Sequence, residues 1–160
     1  MCIRDRLACA QQAPLDGPLT IVVGYPPGGS SDRIARLVAD RLKDRAGVSV
    51  VVENKTGAGG RIAAQGLHAA PASQNVLMLA NPAVMVVAPL VYAQPGYDAQ
   101  QDFTPVSLAS RYKFALAVPA SSPIKDVAAL RQWLRDNPKQ FTVGVPATGS
   151  LPHFFALMLG

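Results

Sequence analysis

The chain has 160 residues, 49% of them hydrophobic and 16% charged, with a formal net charge of +5. This composition excludes a disordered, low-complexity or fibrous chain and supplies enough apolar mass for a buried core. No apolar run is long enough to cross a membrane as a helix, and Cys2 and Cys9, close together near the start, support no disulfide framework.

In chain order, residues 1–13 carry Arg4 and Arg6 before a short apolar stretch and Ala8-Cys9-Ala10. A secretory signal needs a basic start, a long apolar middle and a small-residue cleavage site. The middle is too short here, so residues 1–18 are expected to be a truncated or replaced leader, or a disordered tail. Cys9 is a poor lipobox cysteine, because Arg6 stands where an apolar residue belongs.

The run Leu19-Thr20-Ile21-Val22-Val23 predicts a strand buried on both faces. Gly24-Tyr25-Pro26-Pro27-Gly28-Gly29-Ser30-Ser31-Asp32 is a glycine loop. A helix follows, with Ile34, Leu37, Val38 and Leu42 on its apolar face, Ser31 or Asp32 as its cap and Gly47 as its end. Arg33, Arg36, Arg41, Lys43 and Arg45 share that helix with Asp40 and Asp44. Aromatics are few and not interleaved with these charges, so they form a solvated face and no nucleic-acid partner is expected. A mild positive field still attracts an anionic solute.

The pattern then repeats. Residues 48–54 predict a second buried strand, Lys55-Thr56-Gly57-Ala58-Gly59-Gly60 a second glycine loop, and residues 61–70 a helix stopped by Pro71. Strand–helix–strand–helix at this spacing predicts a parallel sheet with right-handed crossovers. Two glycine loops at the strand ends then open on one crevice, and the helix N-terminus there favours an anion. Neither loop is a nucleotide motif. Gly24 and Gly29 have Walker A spacing, but Ser30 replaces the required lysine, and the fingerprint begun by Gly57 and Gly59 ends in Ile62 instead of glycine.

Residues 76–80 predict a third short strand, and Asn81-Pro82 starts a helix. Residues 84–92 suit a short helix or a strand equally. Residues 94–105 are a surface connection, residues 106–118 contain extended apolar segments, and residues 119–123 cross to a new unit. There, Val127, Leu130, Trp133 and Leu134 make a helix face closed by Asn137-Pro138. Residues 141–145 predict a strand, residues 146–150 a loop, and Leu151 begins another helix.

Catalytic chemistry is sparse. His68 and His153 are far apart without metal-ligand company, Glu53 is the sole glutamate, and no nucleophile–base spacing is present. Asp32 is better explained as a cap than as a general base. No metal or nucleotide cofactor is expected. His153 either touches a ligand or packs, with packing slightly ahead.

Tyr25-Pro26-Pro27-Gly28-Gly29-Ser30-Ser31-Asp32 and Val52-Glu53-Asn54-Lys55-Thr56-Gly57-Ala58-Gly59-Gly60 together resemble the Bug family of periplasmic solute receptors, the binding proteins of tripartite tricarboxylate transporters. Leu79-Ala80-Asn81-Pro82, Asp102-Phe103-Thr104-Pro105-Val106 and Gly149-Ser150-Leu151-Pro152-His153 extend the resemblance. Where the family has Pro-Asp-Gly-Tyr before its third strand, this chain has Ala72-Ser73-Gln74-Asn75, which alters a turn. The resemblance implies an α/β fold similar to type II periplasmic binding proteins, with two lobes built on parallel-rich sheets. Residues 19–118 would be a partial first lobe and residues 119–160 the start of a second, incomplete one.

The implied function is extracytoplasmic capture of a small organic carboxylate by a monomer in the periplasm, for delivery to membrane transporter subunits, without catalysis. Gly28, Gly29 and Ser30 would offer amides from one lobe. Thr148, Gly149 and Ser150, with His153 one turn on, would grip from the other, and Tyr25, Ala80 and Asn81 would line the remaining walls. The alternatives are an α/β enzyme acting on a phosphorylated or carboxylated substrate and a ligand-sensing regulatory domain.

Overall fold

The computed structural model describes Leu15 and residues 17–159; the leader-like segment with Cys2 and Cys9 lies outside them. Three parallel strands form one sheet: β1 (Leu19–Val23), β2 (Val50–Asn54) and β3 (Val76–Leu79), in the order β2-β1-β3. Register runs from Leu19 opposite Val50 to Val23 opposite Asn54, and from Thr20 opposite Val76 to Val23 opposite Leu79. The central place of β1 explains its composition. Leu19, Ile21, Val22 and Val23 are all buried, so an unbroken apolar run is needed there.

β2 is an edge strand, and this corrects the expectation that it is buried. Val51 and Glu53 face solvent while Val50, Val52 and Asn54 are half-buried, because an edge strand with a helix on one side has only one face to cover. Helix α1 (Ser30–Ala46) packs against β1 and β2 and ends at Gly47, whose φ of 67° is left-handed. Its inward face is Ala35 and Ala39 with Val38 and Leu42 alongside, packed on Ile21 and Val23. Leu37, expected inside, points outward. Small alanines let the helix lie close on the sheet, and Leu37 falls on the other side of that face. The helix cap is Gly29, not Ser31 or Asp32.

Helix α2 (Arg61–His68) follows the second glycine loop. The altered turn before β3 still closes, with the Gln74 amide donating to the Pro71 carbonyl at 3.0 Å. Asn81 starts the next helix as expected, its Oδ1 accepting the Val84 amide at 3.2 Å. The segment that suited helix or strand is helical, a π-turn over Ala83–Val87 running into α3 (Ala88–Val91). Val84 joins Ala64 and Tyr97 in a second core cluster, where the Tyr97 hydroxyl donates to the Val84 carbonyl at 2.6 Å.

Helix α4 (Val127–Asp136) is capped by Asp126, which accepts the Ala129 amide, and α5 (Leu151–Leu159) ends the described chain. The strand expected at 141–145 is absent. Phe141, Val143 and Val145 are half-buried and Thr142 and Gly144 exposed, so strand periodicity persists. No described segment hydrogen-bonds beside it, and without a neighbour there is no ladder. Residues 106–118 likewise join no ladder and stay largely exposed, Val106 at 78% and Leu108 at 69%.

One packing constraint is directly testable. A β-carbon at Gly24 would stand 2.7 Å from the Gly60 Cα, whereas one at Gly144 would meet nothing within 4 Å. Gly24→Ala is expected to lower unfolding free energy by about 1–3 kcal/mol in urea titration, as overpacking does. Gly144→Ala should stay within about 0.5 kcal/mol.

Candidate functional site

Because β1 and β2 are adjacent and parallel, both glycine loops leave the sheet on the same side, as the shared-crevice expectation requires. They line one cleft of about 320 Å³ formed by residues 24–26, 56–60 and 146–148. Three loops that follow, or were expected to follow, strand-like segments thus converge. A β-carbon at Gly59 would come within 3.0 Å of the Thr148 carbonyl oxygen, which measures how closely the third loop approaches the second.

The second loop has an unusual backbone. Gly57, Ala58, Gly59 and Gly60 all have positive φ, at 131°, 46°, 69° and 99°. Glycine tolerates this, but Ala58 holds strain of about 1–3 kcal/mol of the kind that gathers at functional sites. The turn closes through the Gly60 amide to the Gly57 carbonyl at 2.8 Å and the Arg61 amide to the Ala58 carbonyl. The amides of Thr56, Gly57, Ala58 and Gly59 find no acceptor among the described residues. Tyr25 spans the two loops, its hydroxyl donating to the Gly59 carbonyl at 3.0 Å. Nearby, the Arg61 guanidinium lies 3.7 Å from the centre of the Tyr92 ring and donates from Nε to the Ala58 carbonyl at 3.1 Å.

The predicted site residues divide. Tyr25 and Thr148 line the cleft. Gly28, Gly29 and Ser30 are exposed and outside its lining, and the Gly28 amide already donates to Asp32 Oδ2 at 2.9 Å. Ala80 and Asn81 are also outside the lining, Asn81 serving as the helix cap described above. Gly149 donates its amide to His153 Nδ1 at 3.1 Å, and the buried Ser150 accepts the His153 amide on Oγ at 3.4 Å. Those three residues build the start of α5, where the half-buried His153 takes part in both bonds.

Two features escaped the sequence reading. One is the set of amides at 56–59, whose only signal was the glycine run itself. The other is a polar cluster around Asp32. This buried carboxylate accepts from Arg36 Nε at 3.0 Å, an Arg36 terminal nitrogen at 2.9 Å, Asn54 Nδ2 at 3.0 Å and Gly28 N. Asn54 Nδ2 also donates to the Tyr25 carbonyl at 3.0 Å. Nothing in local spacing pairs residue 32 with residue 54.

The Arg36, Gly28 and Asn54 hydrogen bonds hold the Asp32 carboxyl well below the usual carboxylate range. This depressed folded value stabilises the fold above the unfolded pKa of about 3.9, and that contribution is lost as pH falls below it. In urea titrations from neutral to acidic pH, the parent should therefore lose stability more steeply below about pH 4 than Asp32→Asn. Ser150→Ala is expected to cost about 1 kcal/mol in the same assay, the usual worth of a helix cap.

The family of tripartite tricarboxylate transporter receptors matches residues 34–159. A protein encoded in the tcbD-tcbE intergenic region of Pseudomonas sp. (strain P51) is 33% identical over 142 residues, 89% of this chain and 42% of that protein. Among solved structures, Rpa4515 of R. palustris, determined with adipate, superposes with a TM-score of 0.77 at 38% identity, over 83% of this chain and 44% of that one. The periplasmic binding protein BugD superposes at 0.75 with 27% identity, over 90% and 48%. The chain thus spans a little under half the length of each of these proteins. With most of its own length matched in both sequence and fold, it belongs to the tripartite tricarboxylate transporter receptor family, that of the Bug proteins.

Proposed function

We propose that the protein is a periplasmic solute receptor that captures a small organic carboxylate in the cleft between residues 24–26, 56–60 and 146–148. The observation that carries this reading is the run of amides at Thr56, Gly57, Ala58 and Gly59, without acceptors among the described residues, along a lining that holds no charged side chain. An ionised carboxylate accepts several such hydrogen bonds, and charge-assisted bonds are about twice as strong as neutral ones. Missing side chains at Gly57 and Gly59 let the anion approach the backbone closely. The cleft volume of about 320 Å³ suits a small molecule.

The same lining supports capture over turnover. Tyr25 is its one titratable side chain, and the Tyr25 hydroxyl is engaged with Gly59. The protein is accordingly a receptor and not an enzyme. Residues 19–118 form one lobe and residues 119–160 begin the second, so that the cleft lies at their meeting and closes on the ligand. The closed form, a monomer, docks on membrane transporter subunits. The adipate bound to the R. palustris relative supports a dicarboxylate as ligand.

A panel of mono-, di- and tricarboxylates including adipate tests this by thermal unfolding. At a hundred times its dissociation constant, a true ligand adds roughly 2.7 kcal/mol and raises the midpoint by several degrees. Gly59→Val should abolish the shift, since its side chain enters the gap to Thr148. No shift across the panel, together with turnover of an ester or phosphate, would move the assignment to an enzyme.

A further inference from the structure

Asp32, Arg36 and Asn54 lie outside the cleft lining and reach it only through Tyr25, whose carbonyl accepts from Asn54 Nδ2. Asp32 is 3% exposed and receives four donors, from Gly28, Arg36 twice and Asn54. Both amide hydrogens of Asn54 are in use, one on Asp32 and one on the Tyr25 carbonyl, while its Oδ1 faces an Arg36 nitrogen at 3.4 Å. The cluster therefore grips the first glycine loop at two points, the Tyr25 carbonyl and the Gly28 amide, and ties both to α1 and to the end of β2. Between those points only Pro26 and Pro27 intervene, and proline fixes φ. With its carbonyl pinned, Tyr25 reaches across to the Gly59 carbonyl.

We propose that Asp32, Arg36 and Asn54 are positioning residues of the binding site, which hold Tyr25 as a brace against Gly59 and thereby set the geometry of the amides at 56–59. The same carboxylate is a fixed negative charge in the first turn of α1 and takes the Gly28 amide just before it, so it directs a ligand carboxylate to the second loop. The direction rests on the proposed function; the brace does not. The Arg36 side chain is about half exposed in this pair, at 52%, so its ion pair with Asp32 contributes modestly to stability, and the bonds to Gly28 and Asn54 supply the geometric role.

The brace is read without ligand by residue-resolved amide hydrogen exchange in the purified protein. Asn54→Ala should accelerate exchange at Gly28, Gly60 and Arg61, whose amides close the two loops, and leave Ile21 and Val22 in the central strand unchanged. Binding is read by calorimetry with adipate. Asn54→Ala and Tyr25→Phe should each weaken it on the order of tenfold, and the double variant should lose less than the sum because both act through one brace. Should Asn54→Ala not fold, Tyr25→Phe alone must still accelerate exchange at Gly60 and Arg61. Unchanged exchange at Gly60 and Arg61, a uniform rise that includes β1, or additive losses of affinity would each overturn the positioning role. If neither adipate nor the rest of the panel binds the parent, the carboxylate assignment and the directing role fail, while the exchange result still decides the brace.

Discussion

At Gly24 and Gly60 two backbones meet with no room for a side chain between them, and the cleft exists because they do. A β-carbon at Gly24 would press on the Gly60 Cα, and one at Gly60 would stand 2.8 Å from Val84 Cγ2. Gly60 is thus held between the end of the central strand on one side and the π-turn on the other. Val84 is in turn fixed by the Tyr97 hydroxyl on its carbonyl, and Tyr97 meets Phe103 edge-on with ring centres 5.6 Å apart. The connection over residues 94–105 thus packs, through Tyr97 and Val84, against the turn at Gly60. Interiors pack densely enough to transmit such constraints.

The two helix starts beside the cleft have the same local recipe and opposite outcomes. Both follow a parallel strand and a glycine loop, the usual setting for an anion. At α1 the protein supplies its own anion, since Asp32 in the first turn takes the Gly28 amide and binds Arg36. Negative charge in that turn also offsets the helix dipole. At the second loop the chain runs through positive φ over 57–60, and the amides of residues 56–59 have no acceptor among the described residues. At the first helix start the Gly28 amide is thus engaged by Asp32, whereas residues 56–59 of the second loop keep their amides without an acceptor among the described residues.

Charge is separated from recognition in the same way. The chain carries a net +5, much of its basic character on the exposed side of α1, while the cleft lining is neutral. A distributed positive field raises the local concentration of anions over long distances. In the proposed receptor, neutral amides would hold a carboxylate without the desolvation cost of a buried cation.

The apolar runs, the helical spacings and the glycine loops determined the parallel sheet and the side on which its loops open, because backbone periodicity and turn chemistry are local properties. They also determined the asparagine cap at Asn81, which bonds a residue three positions away. Local pattern does not determine which strand is the edge, so β2 reads as buried although its place in the sheet leaves one face open. It does not determine which helix face turns inward when alanines compete with leucine, as Leu37 against Ala35 and Ala39 illustrates. Residues 141–145 keep strand periodicity, but a ladder needs a partner that no pattern within one segment contains. The candidate site divides along the same line. Tyr25 and Thr148 could be named from their loops. The engagement of the Gly28 and Gly149 amides was decided by side chains four residues away, Asp32 and His153, in rotamers that only the folded chain selects. The bond from Asn54 to Tyr25 spans 29 residues of sequence and exists only because two parallel strands place their ends side by side.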